Sequence, residues 1–87
     1  CTPLHMPYSF SVAKQVIDEM VTVSDKQMIE SMIYAYENLK LILEPACVAG
    51  LAALKYKLKG KLNGKNTILI LCGSNIDYNS WKKVVFN

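Results

Sequence analysis

The sequence has 87 residues, enough for one small domain, and a domain of this size buries only about 60–65 % of the surface that its unfolded chain exposes. Hydrophobic residues make up 52 % of the chain, which is more than a small free-standing domain needs, so we expect a partner to cover part of the surface. The net charge of +3 comes from lysine alone. The absence of arginine argues against nucleic acid as the partner, because the planar guanidinium group is favoured for phosphate recognition.

The cysteines and the longest apolar stretch indicate the compartment. The three cysteines form no CxxC pair and are accompanied by a single histidine, so they indicate neither a zinc site nor a disulfide framework. The apolar stretch 39–54 contains two charged residues and a proline, and it is shorter than the about 20 residues of a membrane span. The N-terminus lacks the basic and apolar segments of a signal peptide. We therefore expect a soluble, cytoplasmic protein with no bound metal and no membrane partner.

The first predicted elements are a loop, a short helix and a strand. Two prolines and the lack of any periodicity predict an extended loop over residues 1–8. A helix of about two turns is expected over 9–18, with Ser9 or Ser11 as its cap. The β-branched residues that follow predict a strand near 20–24.

Two longer helices are predicted in the middle of the chain. Ser24 and Gln27 have the S-x-x-Q spacing of a capping box, and apolar residues then recur on one helical face, which predicts a helix over 25–43. Pro45 suits the first position of the next helix, because its missing amide hydrogen would have no partner there. This helix, predicted over 45–58, is rich in alanine and therefore suited to close packing between neighbours.

The last third of the chain predicts a strand and a helix after a lysine-rich turn. Lysines near a helix C-terminus complement its dipole, and without arginine we interpret this turn as a solvated surface rather than an RNA-binding patch. The unbroken apolar run 67–72 predicts a strand that is buried on both faces of a parallel sheet. Asp77 is the predicted cap of a final helix over 78–86.

The predicted order of elements is helix, strand, helix, helix, strand, helix. Two strands joined by a helical crossover are parallel, and the connection is right-handed. The predicted fold class is therefore α/β, a partial parallel sheet with crossover helices. Because a two-stranded parallel sheet is not stable alone, its missing strands must come from residues outside this chain or from another copy.

Three sequence blocks, taken in order and spacing, point to a known family. They are MPYSFSVAKQVIDEMVTVSD, LKLILEPACVAGLAAL and GKNTILILCGSNID. Together they resemble the C-terminal part of the catalytic domain of pyridoxal-phosphate-dependent serine/threonine dehydratases, the fold type II group that includes threonine dehydratase, serine dehydratase and serine racemase. The resemblance implies that residues 1–87 are the C-terminal segment of such a catalytic domain. Its partners would be the remainder of that domain, a small amino-acid substrate and further copies in a homo-oligomer.

The resemblance implies a role for the cysteine that ends the second predicted strand. Cys72 matches the position that faces the pyridine nitrogen of pyridoxal phosphate, where the family carries serine or cysteine. A neutral group there leaves the ring a weaker electron sink and favours expulsion of a β-hydroxyl, whereas a carboxylate would hold a proton on the nitrogen. Gly73 and Ser74 would let the backbone pass close beneath the ring, and Asn75 would fix the turn. The residues alone also allow a packed, inert thiol at Cys72.

The Glu-Pro motif supplies one more candidate for cofactor binding. Glu44 would lie near the pyridine edge, or it would be a plain N-cap of the following helix, and both alternatives are open. The family usually has glycine at one of the two positions that Cys47 and Val48 hold here. Its reactive lysine lies in a Ser-x-Lys-x-Arg-Gly motif, and a glycine-rich loop cradles the phosphate; neither occurs in this sequence, and Lys14 has a different context. The chain is therefore predicted to contain cofactor-binding residues but no catalytic residue.

The function that the resemblance implies is that of a threonine/serine ammonia-lyase. Such an enzyme uses pyridoxal phosphate to eliminate water from L-threonine or L-serine, and it yields a 2-oxo acid and ammonia. The 87-residue segment would contribute the contact to the pyridine ring and would not be active alone. The alternative is a non-catalytic α/β interaction or regulatory module derived from the same fold.

Overall fold

The computed structural model describes residues 6–87, so most of the loop predicted over 1–8 lies outside the described residues. The described chain is helical, and its α-helices are α1 (Pro7–Val16), α2 (Asp25–Tyr34), α3 (Ala49–Ala53), α4 (Lys59–Leu62) and α5 (Tyr78–Val85). Turns of other helical types extend or precede them: the π-helical turns Ala35–Leu39 and Leu54–Leu58 and the 3-10 turn Ala46–Val48. None of the helices between residues 6 and 87 is long and apolar enough to cross a membrane.

Helix α1 begins at Pro7, before the predicted start at Ser9. Proline is favoured at the first helical positions, because its fixed φ suits a helix and its missing N–H needs no partner there. Met6, which precedes it, has an extended backbone and makes no side-chain cap. The prediction that Ser9 or Ser11 caps this helix is therefore wrong, and the helix ends at Val16.

Helix α2 begins at the predicted capping box, which is confirmed. The Ser24 hydroxyl accepts a hydrogen bond from the Gln27 amide at 3.1 Å, and the Ser24 amide donates to Gln27 Oε1 at 2.9 Å. The helical path ends before the predicted residue 43, because Lys40 adopts the left-handed conformation with a φ of 57°. The Lys40 amide then donates to the Tyr36 carbonyl at 3.2 Å, which closes the last turn.

The predicted helical stretch after Pro45 is confirmed, although Pro45 precedes its first turn and does not occupy the first helical position. It begins with the 3-10 turn Ala46–Val48 and continues beyond its predicted end, to Leu62. Its small residues permit a close approach, as expected: a β-carbon on Gly50 would lie 2.7 Å from Leu69 Cδ1. The helix therefore packs directly against the segment that carries Leu69.

The predicted strands 20–24 and 67–72 form no β-ladder between residues 6 and 87, so the structure does not show the predicted partial parallel sheet in this part of the chain. A ladder needs a second extended segment alongside. Most of the residues between the two segments are helical and pack on one another instead. Glu19, in the connection between α1 and the first segment, makes an exposed ion pair with Lys61 of α4, with Lys61 Nζ 2.8 Å from Glu19 Oε1.

The second of these segments keeps the two-sided pattern of an extended chain. Leu69 and Leu71 are half-buried, whereas Ile68 and Ile70 are 93 % and 77 % exposed. Extended backbone points successive side chains to opposite sides and produces this alternation. The prediction that this segment is buried on both faces is therefore wrong for residues 6–87, because only one side is covered.

The core lies where α2, the 3-10 turn Ala46–Val48 and α5 meet. Its buried residues are Met32, Ala35, Leu43, Cys47, Val48 and Trp81. The Trp81 ring packs against Tyr36, with the ring centroids 5.2 Å apart. Because Leu43 and Cys47 belong to the core, the turn between α2 and α3 is anchored on both sides of Glu44.

Helix α5 is capped by Asp77, as predicted. The carboxylate accepts a hydrogen bond from the Ser80 amide at 3.1 Å. Hydrogen bonds from the Ser80 side chain and then its backbone hold the pKa of Asp77 below its usual value of 3.8. Because the folded-state pKa is the lower one, the ionised cap stabilises the fold above the unfolded-state pKa, and this contribution is lost as the pH falls through the folded-state pKa.

We expect the amides of the first turn of α5 to lose protection from hydrogen exchange in the complete polypeptide as the pH falls below 3.8, the usual pKa of an aspartate. An Asp77→Asn variant is the control, because asparagine caps a helix without titrating in this range. Protection factors corrected for intrinsic exchange measure the effect. The same pH dependence in both proteins would mean that the Asp77 carboxylate does not stabilise α5.

Candidate functional site

The residues predicted to bind the cofactor lie around one place, where the end of the extended segment meets the turn between α2 and α3. The Glu44 amide donates to the Gly73 carbonyl at 3.1 Å. The Glu44 carboxylate accepts from the Asn75 amide at 2.8 Å. The Ser74 hydroxyl donates to the Ile42 carbonyl at 2.7 Å. Two parts of the chain that are distant in sequence are thus held together by both backbone and side-chain groups.

Gly73 is the residue that permits this close approach. A β-carbon at this position would lie 3.1 Å from Glu44 Oε1 and 3.5 Å from Cys47 Cβ. The first distance is shorter than an ordinary van der Waals contact, and the Glu44 carboxylate cannot move away without weakening its bond to the Asn75 amide. The arrangement therefore requires glycine for space rather than for an unusual backbone conformation.

A fourth hydrogen bond involves Cys47. In the sequence, this residue is notable only because the family usually has glycine at this position or the next. The Gly73 amide donates to Cys47 Sγ at 3.0 Å, and Cys47 is 5 % exposed. The two residues are 26 positions apart, so no local pattern links them. The one signal in the sequence is that Cys47 stands in the same turn as the predicted site residue Glu44.

The Glu44 carboxylate does not cap the helix that follows it. The 3-10 turn Ala46–Val48 has no side-chain cap, and the carboxylate accepts from the Asn75 amide instead. Of the two alternatives for Glu44, the plain N-cap is therefore not realised. The position of Glu44 at the pyridine edge stays a prediction, as do the roles of Gly73 and Ser74 beneath the ring.

Cys72 is exposed, and its thiol is free. It lies on the uncovered side of the extended segment, two residues after the exposed Ile70, and is not packed into the core formed by residues 6–87. A thiol is a weak donor and a weak acceptor, so it can contact the nitrogen of a pyridine ring without bringing a charge. The exposed thiol is therefore chemically suited to the ring of the predicted cofactor, and its contact with the ring stays a prediction.

The family model described as pyridoxal-phosphate dependent enzyme matches residues 1–73 of the chain. The chain belongs to this enzyme family. Pyridoxal phosphate is the cofactor of the family, so the predicted family and its cofactor are confirmed.

Three relatives of the chain are dehydratases or ammonia-lyases. A phenylserine dehydratase from Ralstonia pickettii is 40 % identical over 70 residues, which are 80 % of the chain and 22 % of that protein. An L-threo-3-hydroxyaspartate ammonia-lyase from Saccharomyces cerevisiae is 31 % identical over 78 residues, 90 % of the chain and 24 % of the relative. An L-threonine ammonia-lyase from Thermotoga maritima is 31 % identical over 77 residues, 88 % of the chain and 19 % of the relative.

The chain thus spans only 19–24 % of the length of these relatives. No solved structure matches it significantly. The lysine motif and the glycine-rich loop that the resemblance implies do not occur in this sequence, which agrees with this partial coverage.

Proposed function

We propose that residues 1–87 form the C-terminal segment of the catalytic domain of a pyridoxal-phosphate-dependent ammonia-lyase, and that Cys72 contacts the pyridine nitrogen of its cofactor. The observation that carries this proposal is the free thiol of Cys72 next to a backbone that Glu44 and Cys47 hold by hydrogen bonds. A side chain on a backbone held in this way presents one neutral polar group in a defined direction.

The proposed substrate is a β-hydroxy amino acid, L-threonine or L-serine. The three relatives are named for phenylserine, 3-hydroxyaspartate and threonine, and each of these amino acids carries a β-hydroxyl. When bound, pyridoxal phosphate withdraws electrons from the α-carbon of an amino acid, which makes loss of the β-hydroxyl feasible. The neutral thiol of Cys72 would leave the ring nitrogen without a proton and would limit this withdrawal, which favours elimination.

The remainder of the catalytic domain is the proposed partner of the uncovered apolar surface. Ile68 and Ile70 are 93 % and 77 % exposed, and Tyr8 on α1 is 81 % exposed. Burial of such side chains stabilises a protein by roughly 25 cal/mol per Å² of apolar surface. We infer that segments 20–24 and 67–72 pair there with strands of the rest of the domain, which would complete a parallel sheet.

The test of this function is an assay of the complete polypeptide, purified with pyridoxal phosphate. We expect a 2-oxo acid and ammonia in equal amounts from L-threonine or L-serine. L-Alanine is the matched control, because it lacks the β-hydroxyl and should yield no product. The proposal fails if the protein holds its cofactor but releases no 2-oxo acid from L-threonine, L-serine, phenylserine or 3-hydroxyaspartate.

A further inference from the structure

We infer that Cys47 is a positioning residue, whose sulfur fixes the peptide group between Cys72 and Gly73 and thereby the direction of the Cys72 side chain. The inference rests on the proposed function, since this direction matters to the reaction only if Cys72 faces the cofactor. Because Cys47 itself is buried, we assign it a role through Cys72 and not a contact of its own with substrate or cofactor.

Three successive peptide groups around Gly73 are held by separate hydrogen bonds. The N–H of Gly73, in the group shared with Cys72, donates to Cys47 Sγ at 3.0 Å. The C=O of Gly73, in the second group, accepts from the Glu44 amide at 3.1 Å. The N–H of Asn75, in the third group, donates to Glu44 Oε1 at 2.8 Å. Because each peptide group is planar, a bond to one of its atoms restricts the orientation of the whole group.

Of the three hydrogen bonds, only the one to Cys47 holds the first peptide group. Glu44 holds the second and third groups without help from the sulfur. The first group is joined to them through Gly73, which rotates more freely than other residues because it has no β-carbon. The same lack of a β-carbon is required for space, since that atom would lie 3.1 Å from Glu44 Oε1. The residue that must be small is therefore also a flexible joint, and the bond to Cys47 restricts it.

Cys72 takes its direction from this first group. A rotation of the group would turn the Cα–Cβ bond of Cys72 relative to the anchored turn at Glu44, and it would redirect the thiol. The sulfur of Cys47 is suited to preventing this rotation because it is buried, so water does not compete strongly for the Gly73 amide. Cys47 also belongs to the core, which gives the acceptor a fixed place.

The test compares Cys47→Ala, Cys47→Val and Cys47→Ser in the complete polypeptide. Alanine and valine both lack an acceptor. Alanine leaves a cavity in place of the thiol, whereas valine fills that space, so an effect seen in both variants does not come from the cavity. Serine keeps an acceptor. Without cofactor, we expect the Gly73 amide to exchange at least about tenfold faster in the alanine and valine variants, with a return towards the wild-type rate in the serine variant. The Asn75 amide is the internal control and should change by less than about threefold.

Steady-state kinetics with the β-hydroxy amino acid give the second measurement. We expect kcat to fall at least about tenfold in the alanine and valine variants with KM within about threefold, and to recover in Cys47→Ser. Unchanged exchange at Gly73, or equal acceleration at Gly73 and Asn75, overturns the inference, and so does faster exchange at Gly73 with an unchanged kcat. If the wild-type polypeptide has no lyase activity, the proposed function fails. This failure is distinguishable from a failure of the inference about Cys47, because the exchange measurement needs neither cofactor nor substrate.

Discussion

Replacement of Cys72 with aspartate in the complete polypeptide is expected to lower kcat for the elimination of water by more than about tenfold, a rise in the barrier above about 1.4 kcal/mol. A carboxylate in contact with the pyridine nitrogen would hold a proton there, because each charge favours the other. A protonated ring withdraws electrons from the substrate more strongly, so less electron density is available to expel the β-hydroxyl. Release of 2-oxo acid from L-threonine or L-serine measures the effect.

Cys72→Ser is the matched control for this prediction. A hydroxyl is neutral and keeps a hydrogen bond to the ring, so kcat should stay within about tenfold of the wild-type value. Cys72→Ala keeps neutrality but loses the hydrogen bond, and it should cost more than serine. If Cys72→Asp turns over substrate at the wild-type rate, the thiol does not face the pyridine nitrogen.

Gly73→Ala is expected to lower the free energy of unfolding of the complete polypeptide by about 1–3 kcal/mol. The added methyl group would lie 3.1 Å from Glu44 Oε1 and 3.5 Å from Cys47 Cβ. The carboxylate must then shift, which weakens its hydrogen bond to the Asn75 amide. Urea unfolding followed by circular dichroism measures the change in stability.

Gly60→Ala provides the comparison for that variant. Gly60 lies in α4, and no atom lies within 4 Å of the place that its β-carbon would occupy. Alanine is favoured over glycine in a helix by about 0.5–1 kcal/mol, so this substitution should be neutral or stabilising. A loss of stability of the same size in both variants, or in neither, would mean that close approach is not the reason for glycine at position 73.

The starts of α2 and α5 were predictable because their signals are local. Ser24 with Gln27 acts within one turn of helix, and so does Asp77 with Ser80. The end of the second helix was not predictable in the same way. It depends on a left-handed conformation at Lys40, and a lysine does not indicate this conformation as a glycine would.

The sheet was not predictable from this length of chain, because strand pairing depends on partners. The apolar run 67–72 indicates an extended segment, and the structure gives it a covered and an open side. Which segment pairs with it is not a property of its own residues. Residues 6–87 offer helices rather than a second strand alongside, so the predicted parallel pair does not form there.

The candidate site was predictable in part. The resemblance selected Glu44 and residues 72–75, and hydrogen bonds bring Glu44 together with Gly73 and Asn75. The contact between Cys47 and Gly73 was missed, because it arises only when two segments 26 residues apart approach each other. A residue that differs from the family pattern next to a site residue, as Cys47 does, can therefore mark a contact within the site.

A crystal structure of the complete polypeptide with pyridoxal phosphate bound tests most directly whether Cys72 faces the pyridine nitrogen. We expect Cys72 Sγ within hydrogen-bond distance of that nitrogen, about 3–4 Å, because sulfur makes longer hydrogen bonds than oxygen. We also expect the Gly73 amide to remain directed at Cys47 Sγ, as it is here. A Cys72 thiol that points away from the ring, with another side chain at the pyridine nitrogen, would contradict the proposed site.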